Sequence, residues 1–152
     1  MKRLIIIIGA LIASNVQATA ENMTVYGLIE TMVHSESKVS LMAVLPDYGF
    51  TVSRQETGPM MFSSADVGGN ITFIDEPPAA YAIFVQPDAS TAKERAEDIV
   101  AKLMPEAVQT AREATGESWA LGTTEPTTQV FWEVQGNGSL PVLGILKSYN
   151  RN

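Results

Sequence analysis

Residues 81–105, YAIFVQPDASTAKERAEDIVAKLMP, hold both kinds of element from which the fold class is read. Tyr81-Ala82-Ile83-Phe84-Val85 is a short, continuous apolar run closed by Pro87-Asp88, which predicts a strand buried on both faces. Behind it, Thr91 and Glu94 have the spacing of a capping box, in which the hydroxyl takes an orphan amide and the glutamate reaches back to the cap. Ala92, Ala96, Ile99 and Leu103 then recur along one stripe, with Lys93, Glu94, Arg95, Glu97, Asp98 and Lys102 toward water, so a helix is predicted from Thr91. Pro105 has no amide hydrogen and is expected to break or kink that helix. A second helical piece is predicted from Pro105 to about Ala114, with small inward residues (Ala107, Val108, Ala111, Ala114) and Gly116 just past its end.

The flanks read mainly as strand. Downstream, Gln129 to Gln135 carries Val130, Phe131, Trp132 and Val134, and Gly136-Asn137-Gly138 accepts the positive φ angles of a tight hairpin. The return strand runs from Leu140 to Tyr149, and Pro141 near its start suggests a sheet edge, where a missing amide is tolerated. Upstream, Phe50, Val52 and Arg54 alternate with Thr51, Ser53 and Gln55, between the turns Pro46-Asp47-Tyr48-Gly49 and Glu56-Thr57-Gly58-Pro59. Met60-Met61-Phe62 follows, then a turn at Gly68-Gly69-Asn70, the run Ile71-Thr72-Phe73-Ile74, and a loop at Asp75-Glu76-Pro77-Pro78. Residues Met23 to Leu45 fit either element: Tyr26 to Val33 suits a helix, whereas Val39, Leu41, Ala43 and Leu45 sit two apart as on a strand. The order predicts an α+β fold, an antiparallel sheet with one helical segment, kinked at Pro105, packed on one face.

At the N-terminus, Lys2 and Arg3 precede the apolar run Leu4 to Ala13, and Ala18-Thr19-Ala20 has the small-x-small form of a signal-peptidase site. Residues 1–20 are therefore expected to be a leader, with a single domain over 21–152 and a periplasmic or secreted product. The run is too short for a bilayer-spanning helix and no later segment comes closer, so no membrane span is expected after the leader is removed. Loss of Lys2 and Arg3 takes the formal net charge from -7 to -9. That charge makes nucleic acid and anionic membranes poor partners; its simplest use is solubility, and its sharper one is attraction to a basic protein or a cation. The sequence has no cysteine, so disulfides, thiol catalysis and thiolate metal sites are excluded.

Candidate chemistry is sparse. His34, the only histidine, and Glu30 could begin a metal site, but transition metals usually take three or four such ligands. His34-Ser35-Glu36-Ser37 superficially pairs a nucleophile with a base, without the third group or oxyanion hole that a serine hydrolase needs. Asp75-Glu76 and Glu97-Asp98 could supply carboxylates to calcium or to glycoside chemistry, and neither matches a calcium loop. The doublet Gly68-Gly69 lacks the lysine and helix of a phosphate loop. The sequons at Asn22, Asn70 and Asn137 matter only in a eukaryotic secretory pathway, and the short isoleucine-rich leader looks bacterial. No catalytic residue, metal or cofactor is therefore expected. Core packing is the simpler account of Met60-Met61-Phe62, and a turn that of Asp75-Glu76; the candidates for contact with a partner are nevertheless Met60, Met61 and Phe62, because methionine adapts to irregular apolar surfaces, together with Asp75 and Glu76. Trp119 and Trp132 are candidates for either core or partner contact.

From Phe50 to Tyr149, the strand after Pro46-Asp47-Tyr48-Gly49, the segment Met60-Met61-Phe62-Ser63-Ser64, the strand Tyr81 to Val85, the helix from Thr91 and the closing hairpin resemble, in their order, the PsbP/DcrB group of exported α+β domains. That resemblance implies an accessory or binding protein of the envelope or thylakoid lumen, with no shared catalytic residues. The expected function is thus a non-enzymatic periplasmic protein that binds another protein, as accessory subunit, inhibitor or immunity-type protein. The alternatives are a small-molecule or cation-binding domain and, last, a hydrolase whose two carboxylates meet only in the fold.

Overall fold

The computed structural model describes residues 24–53, 58–122 and 127–150. The predicted leader, the sequon at Asn22 and residues 54–57 of the first predicted strand and turn lie outside them. The fold is α+β: helices on one face of an eight-stranded antiparallel sheet with strand order β1-β2-β3-β4-β8-β7-β6-β5.

The chain enters through two helices, α1 (24–34) and α2 (Lys38–Val44). In α1, Val25, Leu28, Ile29 and Met32 recur at helical spacing and are buried. Ser37 caps α2, its hydroxyl accepting from the Ser40 amide at 3.1 Å. The strand-like alternation of Val39, Leu41, Ala43 and Leu45 is thereby corrected. On a helix, residues two apart point to opposite sides, so Leu41 and Leu45 are buried while Val39 and Ala43 are exposed. The 3-10 turn Leu45–Tyr48 follows, and Gly49 closes it at φ 78°.

A first meander then runs through β1 (Thr51–Ser53), β2 (Met60–Ser64), β3 (Gly69–Ile74) and β4 (Ala79–Val85). Strand β4 is not buried on both faces as its continuous apolar run suggested. Ala80, Ala82 and Phe84 are buried toward the helices, whereas Tyr81 and Ile83 are half-buried and Val85 exposed on the other side.

Helix α3 spans Ala89–Leu103. It begins ahead of the predicted box: Asp88 is the cap, its Oδ1 accepting from the Thr91 amide at 2.7 Å, which places Thr91 inside the first turn. That bond holds the Asp88 carboxyl below its usual range. The stripe is as predicted, with Ala92, Ala96 and Ile99 buried. At Pro105 the helix ends instead of kinking. Met104 closes it through a bond from its amide to the Val100 carbonyl at 3.0 Å.

The second predicted helical piece is instead strand β5 (Val108–Glu113), which opens a second meander through β6 (Gly116–Leu121), β7 (Thr128–Gln135) and β8 (Leu140–Ser148). Strand β5 is an edge strand exposed along its whole length, so it has no inward alternation by which to be recognised. The hairpin at Gly136-Asn137-Gly138 forms with all three residues at positive φ. Its return strand is not an edge: β8 lies at the centre between β4 and β7. Pro141 is accommodated at the strand's end, where its carbonyl accepts from the Gln86 amide at 2.9 Å, beyond the last residue of β4.

Each half is thus a helical segment followed by a four-stranded meander, and the last strands of the two halves, β4 and β8, pair along Ala79–Val85. One cluster fills the space between helices and sheet. It joins Leu28, Met32 and Leu41 to Phe73 and Phe84 and, in the second half, to Ile99, Val130, Trp132, Leu143 and Ile145. No helix among the described residues is long and apolar enough to cross a membrane.

Candidate functional site

All helices among the described residues lie on one face, and none of them covers the other face of the sheet. Cross-strand pairing sets what it shows. One row runs Met61–Thr72–Tyr81–Leu146–Gln129–Ala120 from β2 to β6, and the next runs Ser63–Asn70–Ile83–Gly144–Phe131–Ser118–Ala111 from β2 to β5. At Gly144 a Cβ would stand 2.0 Å from Phe131 Cζ, so the Phe131 ring lies across that glycine. There it stacks on Tyr81, with ring centroids 5.9 Å apart and planes 13° apart. The ring thus leans toward β8 and β4, while the outward positions on its other side are small: Ser118, Gly116 and Ala111. The result is a groove of about 390 Å³ over β5, β6 and β7, walled by Phe131 and Tyr81 and reaching Gln129 and Leu146.

A third row, Val85–Val142–Glu133–Gly116–Glu113, crosses one end of the groove. Glu133 and Glu113 therefore stand on either side of Gly116. That position stays bare because a Cβ would approach the Trp132 carbonyl oxygen to 2.8 Å. No lysine or arginine lines the groove, and neither glutamate has an ion-pair partner among the described residues. Among the described residues, Glu133 accepts from the Gln135 side-chain amide. Burial, and secondly the nearby Glu133 carboxylate, push the Tyr81 phenol above its usual value.

Across the same strands, the covered side carries a different acid. Glu117, its side chain 5 % exposed, meets Lys93 Nζ of α3 at 3.4 Å and Arg112 Nε of β5 at 3.5 Å. Trp132 Nε1 donates to it at 3.4 Å. Its charge is spent internally, clamping α3 to the β5 edge.

The residues favoured from the sequence are dispersed by the fold. Met61 is half-buried on the uncovered face, two strands from Tyr81 in the same row. Met60 is 48 % exposed but faces the helical side at the β1–β2 rim. Phe62 is a core residue in edge-to-face contact with Phe73 and is not available to a partner. Asp75 pairs with Lys38 Nζ at 2.6 Å, and Glu76 is exposed beside it. Trp132 is buried in the core and Trp119 packs partly against it.

Near the α1–α2 corner, Glu30 and His34 are exposed on α1. Ser35 bonds the Met32 carbonyl and the Tyr149 hydroxyl, each at 2.8 Å, and Ser37 is the α2 cap. These hydroxyls serve the fold, so the nucleophile reading of His34-Ser35-Glu36-Ser37 has no free partner to build on. Among the described residues, no group of three or more His, Asp or Glu side chains could hold a metal. Glu97 and Asp98 form i,i+4 pairs with Lys93 and Lys102 on the wet side of α3.

The groove residues Tyr81, Phe131, Glu133, Glu113 and Gly144 were missed from sequence. Their available signal is that β4 and β7 carry bulky apolar residues on both faces, although the helices are sufficient to cover only one. No family model matches the chain, and no curated protein or solved structure does either.

Proposed function

We propose that this is an exported, non-enzymatic binding protein that holds another protein on the uncovered face of its sheet. The observation that carries the reading is the groove itself, an aromatic wall beside a small-residue floor with two carboxylates at one end. A face that no described helix covers and that still keeps Tyr81, Phe131, Ile83 and Leu146 half-buried has the mix of apolar centre and polar rim typical of association surfaces. The acidity of the chain favours a basic partner. The element order that resembles the PsbP/DcrB group points to the same class of accessory or binding protein.

The test is capture of a partner by residues 21–152 from a periplasmic extract, run beside Ala111→Trp. Ala111 is exposed, so an indole there fills the groove without entering the core. A stoichiometric partner held by the parent and lost by the variant, at unchanged Tm, is the expected outcome. Equal capture by both, or a hydrolytic activity abolished by removing one carboxylate, overturns the reading.

A second reading, a small organic ligand in place of a protein, is favoured by the groove's volume, which lies within the range of ligand sites. A thermal-shift screen of metabolites with the same variant separates it from the first.

A further inference from the structure

We infer that the groove takes an extended, basic segment of the partner, with a lysine or arginine side chain lying along Phe131 and its cationic head between Glu113 and Glu133. This deepens the binding-protein reading and rests on it. The shape argument begins at β6, whose outward residues Gly116 and Ser118, with Ala111 beside them, leave a channel free of large side chains between β5 and β7. Strands lie about 4.8 Å apart. Glu113 on β5 and Glu133 on β7 are therefore roughly 10 Å apart at their backbones with only Gly116 between them. A cation above that glycine reaches both carboxylates.

The chemistry of the wall fits the rest of such a side chain. Lysine and arginine stems are apolar and pack on aromatic rings while the head stays with its counter-ions. A guanidinium also gains from the ring face. Other occupants fit less well. A second copy of this chain would bring four carboxylates together in one interface, and a phosphate-bearing ligand would meet two uncompensated acids. The acid on the helical side does not compete, because Glu117 is already satisfied by Lys93 and Arg112.

The experiment is calorimetric titration of the mature chain with three synthetic peptides of about ten residues, alternating Ala with Lys, Gln or Glu. The Lys peptide is expected to bind, more weakly as salt is raised, and the Gln and Glu peptides are not. Glu113→Gln with Glu133→Gln should weaken it about tenfold or more at unchanged Tm, and Ala111→Trp should abolish it. Failure of the Lys peptide to bind, equal binding of the Gln peptide, or indifference to the double substitution overturns the inference. The two levels separate in the capture assay. A partner lost by Ala111→Trp but kept by the double glutamine variant leaves the binding reading standing and removes the cation.

Discussion

The two faces of the sheet use one device for opposite ends. On the covered side, Phe84 lies across Gly69, where a Cβ would come within 2.5 Å of its ring, and the helices bury it completely. On the other side, Phe131 lies across Gly144 in the same way, and no helix among the described residues covers it. A glycine opposite a phenylalanine lets the ring lie flat on the sheet. Under helices that gives close packing, and without them it gives a smooth aromatic wall. Stability should therefore reside on one face and recognition on the other.

The largest expected effect tests that division directly. Phe84→Ala should cost about 3–5 kcal/mol, because it empties a fully enclosed site. Phe131→Ala should cost about 1–2 kcal/mol, the stacked pair plus partial burial. Urea denaturation of both variants checks this, and equal losses would break the comparison.

Next in size is the ion cluster beneath β5 and β6. Replacing Lys93 and Arg112 together by Met leaves the buried Glu117 carboxylate uncompensated and should cost about 3 kcal/mol. Glu117→Gln should cost only about 1 kcal/mol, since the two cations it releases are already partly in water and can be solvated. An inverted order in the same denaturation assay would mean that the cations, not the acid, are the groups that need a partner.

Gly144→Ala sharpens the comparison further. The new methyl group must push the Phe131 ring off the strand, with an expected loss of about 1–2 kcal/mol. In the background of Phe131→Ala the same substitution should cost almost nothing. The double-mutant cycle reports that coupling, and its absence would show that the ring is not pinned by the glycine.

The smallest effect lies at alkaline pH. Burial raises Tyr149 and Tyr81 above the ordinary 10.0, so the native chain keeps phenolic protons that the unfolded chain gives up. Their contribution is complete below about pH 10 and falls away as pH rises through the native values. Lys147 acts in reverse: burial lowers it below 10.5, so stability is gained as pH rises through its native value toward 10.5. Tyr149→Phe and Tyr81→Phe should each flatten the fall in Tm above about pH 10. An unchanged slope in either variant would contradict the assignment of that tyrosine.

How much of this was legible in the sequence follows from the range of the signals. The α3 stripe, the Gly136-Asn137-Gly138 hairpin and the turn at Gly49 are local patterns, and each is where it was expected, whereas the turn expected at Gly68-Gly69-Asn70 falls earlier, on residues 65–68, and Gly69 and Asn70 open β3. The failures are also local in origin. Val39 to Leu45 carries an alternation compatible with two elements, and the Ser37 cap that decides between them uses Ser40 where a glutamate is the usual signal. Residues 108–113 lie on an edge, so burial imposes no period on them and small residues pass for helix. The groove could not be read at all, since Tyr81 meets Phe131 only through the pairing of β4 with β8 and of β8 with β7.

That central pairing also bears on how the chain finds its structure. Six of the seven ladders join strands that are neighbours in sequence, and each can form as soon as its own turn does. Only β4 with β8 joins distant segments, residues 79–85 to 142–148. Closing so long a loop is the entropically slow event in such topologies. The two meanders should therefore wind up early and independently, and the folding rate should be governed by the moment at which they meet along one seam.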